Sequence, residues 1–548
     1  MSAEKGHDAY MYRIAQYRAA YRRGDLSPLQ VIGDHLSYTR SITSKINALS
    51  ALNPMAMEEA KQSADRYAQS APIGPLDGIP VIVKDCFRVK GMRRWNGTAI
   101  HDGDSASSET SEPVMRLREA GAIIIAKTTM PDMGMLASGI SSQFGITMNP
   151  WDADVSPGGS SSGTAAALAA GLGALGLGTD LAGSVRLPSG HCGLAAIKPT
   201  QGRIAYSPAS SMRSAGVVGR SVSDVIEGLS VVGTHASSDV MSLPGSFTSC
   251  TFESVLQRLP RVGVIESMGY GHPVESEVRD AVNAAAHRLE QVGCLVELAS
   301  PDLTDADFDN ANRVFQARAA AEVRASRHSK KLLEPITHWL EGADTLCMAD
   351  YEDALNGLLA TARNLERRTS CYDFLLCPVI PVSGFDAYSF GPGNESNSGK
   401  KSKNKSGQEP MDKSEQGQLN KPEQDLTGKL EQELTDKSEQ ELTDKSEQDL
   451  MGKLDQELTD KSEQDLMGKL DQDPLYHTQF VAWFNQTGQP AGVYREAHDD
   501  VRGLPIDVQV VGRRFDDGGV LAVAQYLERT RGSLPAFPRF EGAPCYEL

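Results

Sequence analysis

The chain has 548 residues, of which 40% are apolar and 23% charged, and a formal net charge of −18. That apolar share suits a folded protein with a substantial core. The eight cysteines form no CxxC pair, the eleven histidines show no HExxH spacing, and no run reaches the ~18–20 apolar residues of a membrane span. A disulfide framework, a zinc cluster and a spanning helix are thereby excluded as readings. No metal, no other cofactor and no membrane partner are expected, and without a secretory leader pattern a cytoplasmic location is the default.

Helices are predicted first. Ser27-Pro28-Leu29-Gln30 combines an N-cap serine, proline at N1 and glutamine at N3, and Leu29, Ile32 and Leu36 follow at helical spacing. A second helix is predicted over 55–69. Strands are predicted at 79–83 and 122–126, with a helix over 111–120 between them. The first of these strands lies in GPLDGIPVIVKD (74–85) and ends on Lys84. A lysine at the end of a buried strand is costly unless it is paired or neutral.

Residues 156–188 read SPGGSSSGTAAALAAGLGALGLGTDLAGSVRLP. Small residues at this density let backbone approach another group closely. The segment 164–177 has the composition of a buried helix. A loop, a buried helix and a second loop would return Ser160 and Ser184 to one place. Two serines and one lysine are the parts of a hydrolase in which a desolvated amine replaces histidine as base. Turns with serine caps are the plain alternative.

Further on, strands are predicted at 261–265, 294–298 and 374–379, with a helix over 275–292 and a helical region over 305–368. The composition then breaks. Residues 409–472 are eight tandem octads, 441–456 being identical to 457–472, with 19 Asp/Glu against 8 Lys. An eight-residue period fits neither the helix nor the heptad, and one weak apolar position per octad cannot offset chain entropy. Disorder or marginal helix is expected there. Beyond it, FVAWFNQTGQPAG (480–492) reads as a strand and turn, 506–511 as a closing strand and 517–529 as a final helix.

Three segments, GPLDGIPVIVKD, SPGGSSSGTAAALAAG and GTDLAGSVRLPSGHCGLAAIKPTQGR, resemble in order the diagnostic blocks of the amidase signature family. The likeness extends from roughly Leu26 to Leu527, leaving out the insertion, and implies that 480–492 lies near the active-site face. It implies an α/β amidase-signature fold: a single large mixed β-sheet covered by helices on both faces, interrupted by the disordered insertion. The expected partition is 1–70 as a helical region on the core, 71–390 as the core, 391–473 as the insertion and 474–548 as the rest of the core. The implied activity is hydrolysis of a carboxylic acid amide to carboxylate plus ammonia or amine through a serine acyl-enzyme. The implied partner is a small-molecule amide, with no nucleic acid and no membrane expected and a homodimer left open.

Carried over by position, Ser184 is the nucleophile, Ser160 the relay behind a cis peptide bond and Lys84 the base. The backbone N–H groups of Leu181, Ala182, Gly183 and Ser184 match the oxyanion hole. Gly134, Met135 and Leu136 are candidates for the acyl pocket, beside Ser160. Asp85 is expected to point away from Lys84, and Asp180 and Arg186 to pair beneath the loop. Ala182 and Ser162 stand where the family usually has glycine, which would strain the loop only at positive φ. Sequence neighbours point in different directions, so His191 and Cys192 read as structural rather than as a catalytic pair. The glutaminase (A-type) subunit of a tRNA-dependent amidotransferase shares the blocks and is the alternative function. A third reading is a retired hydrolase fold serving as a non-catalytic scaffold.

Overall fold

Ser27 caps the helix Pro28–Ile46, its hydroxyl accepting from the Gln30 N–H at 3.3 Å. The second N-terminal helix is Ala56–Ala68. The computed structural model describes residues 12–326, 331–392 and 475–546. The octads, and the disorder expected of them, lie outside the described residues.

In chain order the strands are β1 (Leu49–Leu52), β2 (Pro80–Lys84), β3 (Ile123–Thr128), β4 (Ile140–Ser141), β5 (Gly145–Ile146), β6 (Leu175–Asp180), β7 (Ala195–Lys198), β8 (Ser214–Gly219), β9 (Arg261–Val264), β10 (Leu295–Leu298), β11 (Phe374–Pro378), β12 (Ala491–His498) and β13 (Pro505–Gly512). An 11-stranded sheet runs in the order β1-β3-β2-β6-β8-β7-β12-β13-β11-β9-β10, and β4 pairs with β5 in a separate hairpin. The sheet is mixed: β2 is parallel to β3 and β6, while β6, β8, β7, β12, β13 and β11 pair antiparallel in succession. Residues following the octads thus fill the middle of the sheet, with β12 bonded to β7 on one side and β13 on the other.

Both faces are covered. Successive side chains of a strand point to opposite faces. On β2, Val81 and Val83 join one buried cluster with Leu175 and Leu177, and Ile82 joins another with Ala166 and Leu168 of the helix Ser162–Ala169. Burial on both faces is why these strands read as continuous apolar runs rather than as alternation. A third cluster joins Phe315, Trp339 and Leu358, from the helices Asp305–Arg324, Glu334–Asp344 and Met348–Thr369, to Leu181, Phe480 and Trp483. Among the described residues no helix is long and apolar enough to cross a membrane.

Two predicted elements change identity. The helix expected over 164–177 stops at Ala169; Gly171 and Gly173 take φ of +94° and +76°, and the chain continues as strand β6. Uncharged Ala/Leu/Gly sequence suits a buried helix and a buried strand alike, so only the glycine conformations mark the break. The strand and turn expected at 480–492 begins instead as the helix Gln479–Gln486. Its apolar residues from Phe480 to Phe484 are all buried, which erases the helical period.

Candidate active site

Strands β2 and β6 lie side by side and parallel, Val83 opposite Leu177, so their carboxyl ends open onto the same edge of the sheet. Such edges are where open α/β sheets receive ligands. Lys84 closes β2 and is fully buried. Its Nζ lies 2.8 Å from Ser160 Oγ and 3.1 Å from Thr179 Oγ1. Burial, assisted by the positive charge of Arg213, pulls its pKa from 10.5 to about 8. The adjacent carboxylate does not restore it. Asp85 turns to Lys127, 2.9 Å away, both side chains being wholly buried. The alternation of the strand explains how neighbours in sequence serve separate networks.

Ser160 follows a cis peptide bond from Gly159. Gly134, at φ +71°, faces it: a Cβ there would come within 3.0 Å of the Ser160 hydroxyl. A side chain at 134 would crowd the oxygen that meets Lys84. Ser184 sits in the turn between β6 and the helix Arg186–Cys192. The Ser161 N–H donates to the Ser184 carbonyl at 3.0 Å, tying the two serine segments together through backbone. No hydrogen bond joins the Ser160 and Ser184 hydroxyls in this structure, although both line one cleft.

The turn is held by Asp180, which accepts from the N–H groups of Gly183 at 2.8 Å and Val185 at 3.1 Å. Arg186 ion-pairs with it at 2.8 Å, and both side chains are fully buried. Burial opposes the charge of Asp180, but Arg186 outweighs it and holds the carboxyl below its ordinary range. Arg186 also donates to Gln509 and Asn485, and Asn485 donates back to the Asp180 carbonyl at 2.9 Å. Of the four backbone donors expected at the oxyanion hole, Gly183 spends its N–H on Asp180. Those of Leu181, Ala182 and Ser184 donate to no protein acceptor among the described residues. Gly183 takes φ +109°, whereas Ala182 and Ser162 keep negative φ, so neither replacement of glycine strains the loop.

The cleft has two lobes that meet at Ser184, Gly134 and Leu181. The apolar lobe adds Met135, Leu136, Ala182 and Phe315. The polar lobe adds Asn96, Ser160, Thr179 and Arg213. Every residue named from the sequence as catalytic or pocket-lining is therefore at or beside this cleft. His191 and Cys192 are not part of it. Both are buried, and burial pushes the imidazole down to about 3 and the thiol well above its ordinary value. Among the described residues no group of three or more His, Cys, Asp or Glu converges to hold a metal ion.

Sequence reasoning missed Thr179, Asn96, Arg213, Asn485 and Gln509. Thr179 was accessible, since it lies inside the third block. Asn485 lies within 480–492, the segment expected near the active-site face, although nothing marked that residue itself. Asn96, Arg213 and Gln509 come from segments whose local sequence carries no signal of their place at the site.

Known proteins share both the sequence and the fold. A family model described as Amidase matches residues 31–399. The chain is 30% identical over 410 residues to the A-type subunit of the glutamyl-tRNA(Gln) amidotransferase of Synechococcus sp. (strain CC9902), covering 68% of this chain and 82% of that one. It is 35% identical over 415 residues to the same component of the Symbiobacterium thermophilum amidotransferase, covering 70% and 84%. A bacterial aryl acylamidase of the amidase signature (AS) enzymes family shares the fold with a TM-score of 0.74 over 95% of this chain and 96% of that one, at 19% identity. The protein is an amide-hydrolysing enzyme. It belongs to the Amidase family, whose signature the three sequence blocks carry.

One expectation is corrected here. No nucleic acid was expected among the partners, yet the relatives matched over two thirds of the chain are named as subunits of an amidotransferase of glutamyl-tRNA(Gln). One component of an assembly needs no basic surface of its own for the assembly to engage RNA. The acidic net charge of this chain therefore never bore on the question.

Proposed function

We propose that the enzyme hydrolyses a carboxylic acid amide through an acyl-enzyme on Ser184. Ser184 Oγ attacks the amide carbonyl while Ser160 takes its proton and passes its own to neutral Lys84. The oxyanion that forms is met by the free N–H groups of Leu181, Ala182 and Ser184, Gly183 being engaged with Asp180. Each such donor is worth on the order of 10²–10³ in rate. Collapse of the intermediate expels the amine, which recovers the proton along the same relay. Water then attacks the ester with Ser160 and Lys84 again accepting its proton, releasing the carboxylate and restoring Ser184. Gly134, Met135 and Leu136 line the apolar lobe, which takes the substrate portion on one side of the scissile bond.

The observation that carries this reading is the buried Lys84 amine, 2.8 Å from Ser160, with its pKa drawn down to about 8. A base poised near neutrality is what proton abstraction requires. The test is Ser184→Ala and Ser160→Ala assayed on a panel of aliphatic, aryl and peptide amides. Ser184→Ala should abolish hydrolysis, and Ser160→Ala should lose somewhat less, since water can stand in for the relay. Near wild-type turnover by Ser184→Ala would refute the assignment. Failure of the wild type to react with a fluorophosphonate probe would favour the scaffold reading instead.

A second reading is favoured by the relatives' names: glutaminase component of a tRNA-dependent amidotransferase, releasing ammonia from glutamine for transfer to a charged tRNA on its partners. Turnover of the isolated chain on the amide panel separates the two. A free amidase hydrolyses members of the panel alone, whereas a glutaminase component turns over glutamine and depends on its partners.

A further inference from the structure

Arg213 is the charged side chain among those lining the two lobes of the cleft. It precedes β8 in a segment without a recognisable motif, and it is partly buried. Its electrostatic neighbours include the Tyr206 phenol and the carboxylate of Glu322. Glu322 does not form an ion pair with it; that carboxylate accepts from Asn96 Nδ2 at 2.7 Å. A guanidinium carries five N–H donors in a planar fork that matches a carboxylate edge to edge. Among the described residues no protein carboxylate lies within ion-pair distance of this guanidinium, so a substrate carboxylate in the cleft can pair with it directly. The other lobe presents Met135, Leu136 and Phe315 and no charge.

We propose that Arg213 binds a carboxylate of the substrate, so that the amide cleaved is anionic on one side of the scissile bond and apolar on the other. The inference rests on the amidase reading above and names the substrate class for that site. Arg213 and Ser184 line the same polar lobe, so one small ligand can reach both with its carboxylate and its scissile amide. The carboxylate can belong to the departing amine or to the acyl group, with the apolar portion opposite.

Two matched substrate pairs test this. N-hexanoylglycine against N-ethylhexanamide places the charge on the amine side; succinamic acid against butyramide places it on the acyl side. In one pair the wild type should prefer the charged member in kcat/KM by about tenfold to hundredfold, the worth of a charge-assisted hydrogen bond. Arg213→Gln should bring that ratio close to one, and Arg213→Lys, which keeps the charge and loses the fork, should retain part of it. The ratio within each variant is the readout, so a general loss of activity does not imitate the effect. Should Arg213→Gln not fold, the wild-type ratios and Arg213→Lys still decide. No preference in either pair, or a preference that Arg213→Gln leaves intact, overturns the inference while hydrolysis of the neutral members upholds the amidase reading. A wild type inert on both pairs and on the whole amide panel removes that reading and this one with it.

Discussion

Replacing Lys84 by methionine keeps the side-chain volume and removes the amine, which makes it a direct test of a neutral base. The fall from 10.5 to about 8 corresponds to about 3 kcal/mol at about 1.4 kcal/mol per pH unit. Between those two values the unfolded chain binds a proton that the folded protein does not. Stability contributed by this site therefore rises as the pH climbs from about 8 toward 10.5. Below about pH 8 the folded protein carries the full cost of a buried ammonium. Methionine abolishes that dependence. It also loses the hydrogen bonds to Ser160 and Thr179, each worth about 1 kcal/mol, but that loss is not the source of the expected slope. Lys127 and Lys198 are also depressed by burial, and they remain in both proteins. The assay is urea unfolding of wild type and Lys84→Met at about pH 6 and about pH 10.5, compared as a difference. The advantage of the methionine protein should shrink by about 3 kcal/mol across that range. In parallel, wild-type kcat/KM should rise with pH and level off above about 8, while Lys84→Met should be inactive. A stability difference that stays flat would mean that Lys84 is charged throughout, and the neutral-base argument would fail.

Asn485→Ala removes donors to the carbonyls of Asp180 and Met212 and an acceptor of Arg186. It should destabilise the protein by about 1–3 kcal/mol and lower kcat more than it raises KM; an unchanged Tm would show that the brace is dispensable. Cys192→Ala should leave fluorophosphonate labelling intact, because the thiol is buried and pushed well above its ordinary pKa; loss of labelling in a folded variant would reopen cysteine chemistry. Deletion of residues 409–472 should leave Tm and kcat/KM essentially unchanged, since lengthening a loop costs about 0.6 kcal/mol per doubling. A tenfold drop in kcat/KM in a folded deletion variant would mean that the octads shape the active site.

The features legible in the chain are local ones. A lysine ending an apolar strand, serines within Gly-rich turns and the order of the three blocks carry the family and the names of Lys84, Ser160 and Ser184. Small residues around reactive groups are demanded by close backbone approach, and that demand is written in consecutive positions. The cap at Ser27 and the helix at Ala56–Ala68 were legible for the same reason. Folding supplies what no window of residues can hold. Only the parallel pairing of β2 with β6 brings Lys84 beside Thr179, across 95 positions of sequence. Only the fold sends Asp85 to Lys127, engages the Gly183 N–H with Asp180 and brings Asn485 and Gln509 to Arg186 from 299 and 323 positions away. The two misread segments, 164–177 and 480–492, belong to this class as well. When every face is buried the periodicity vanishes, and packing chooses between helix and strand.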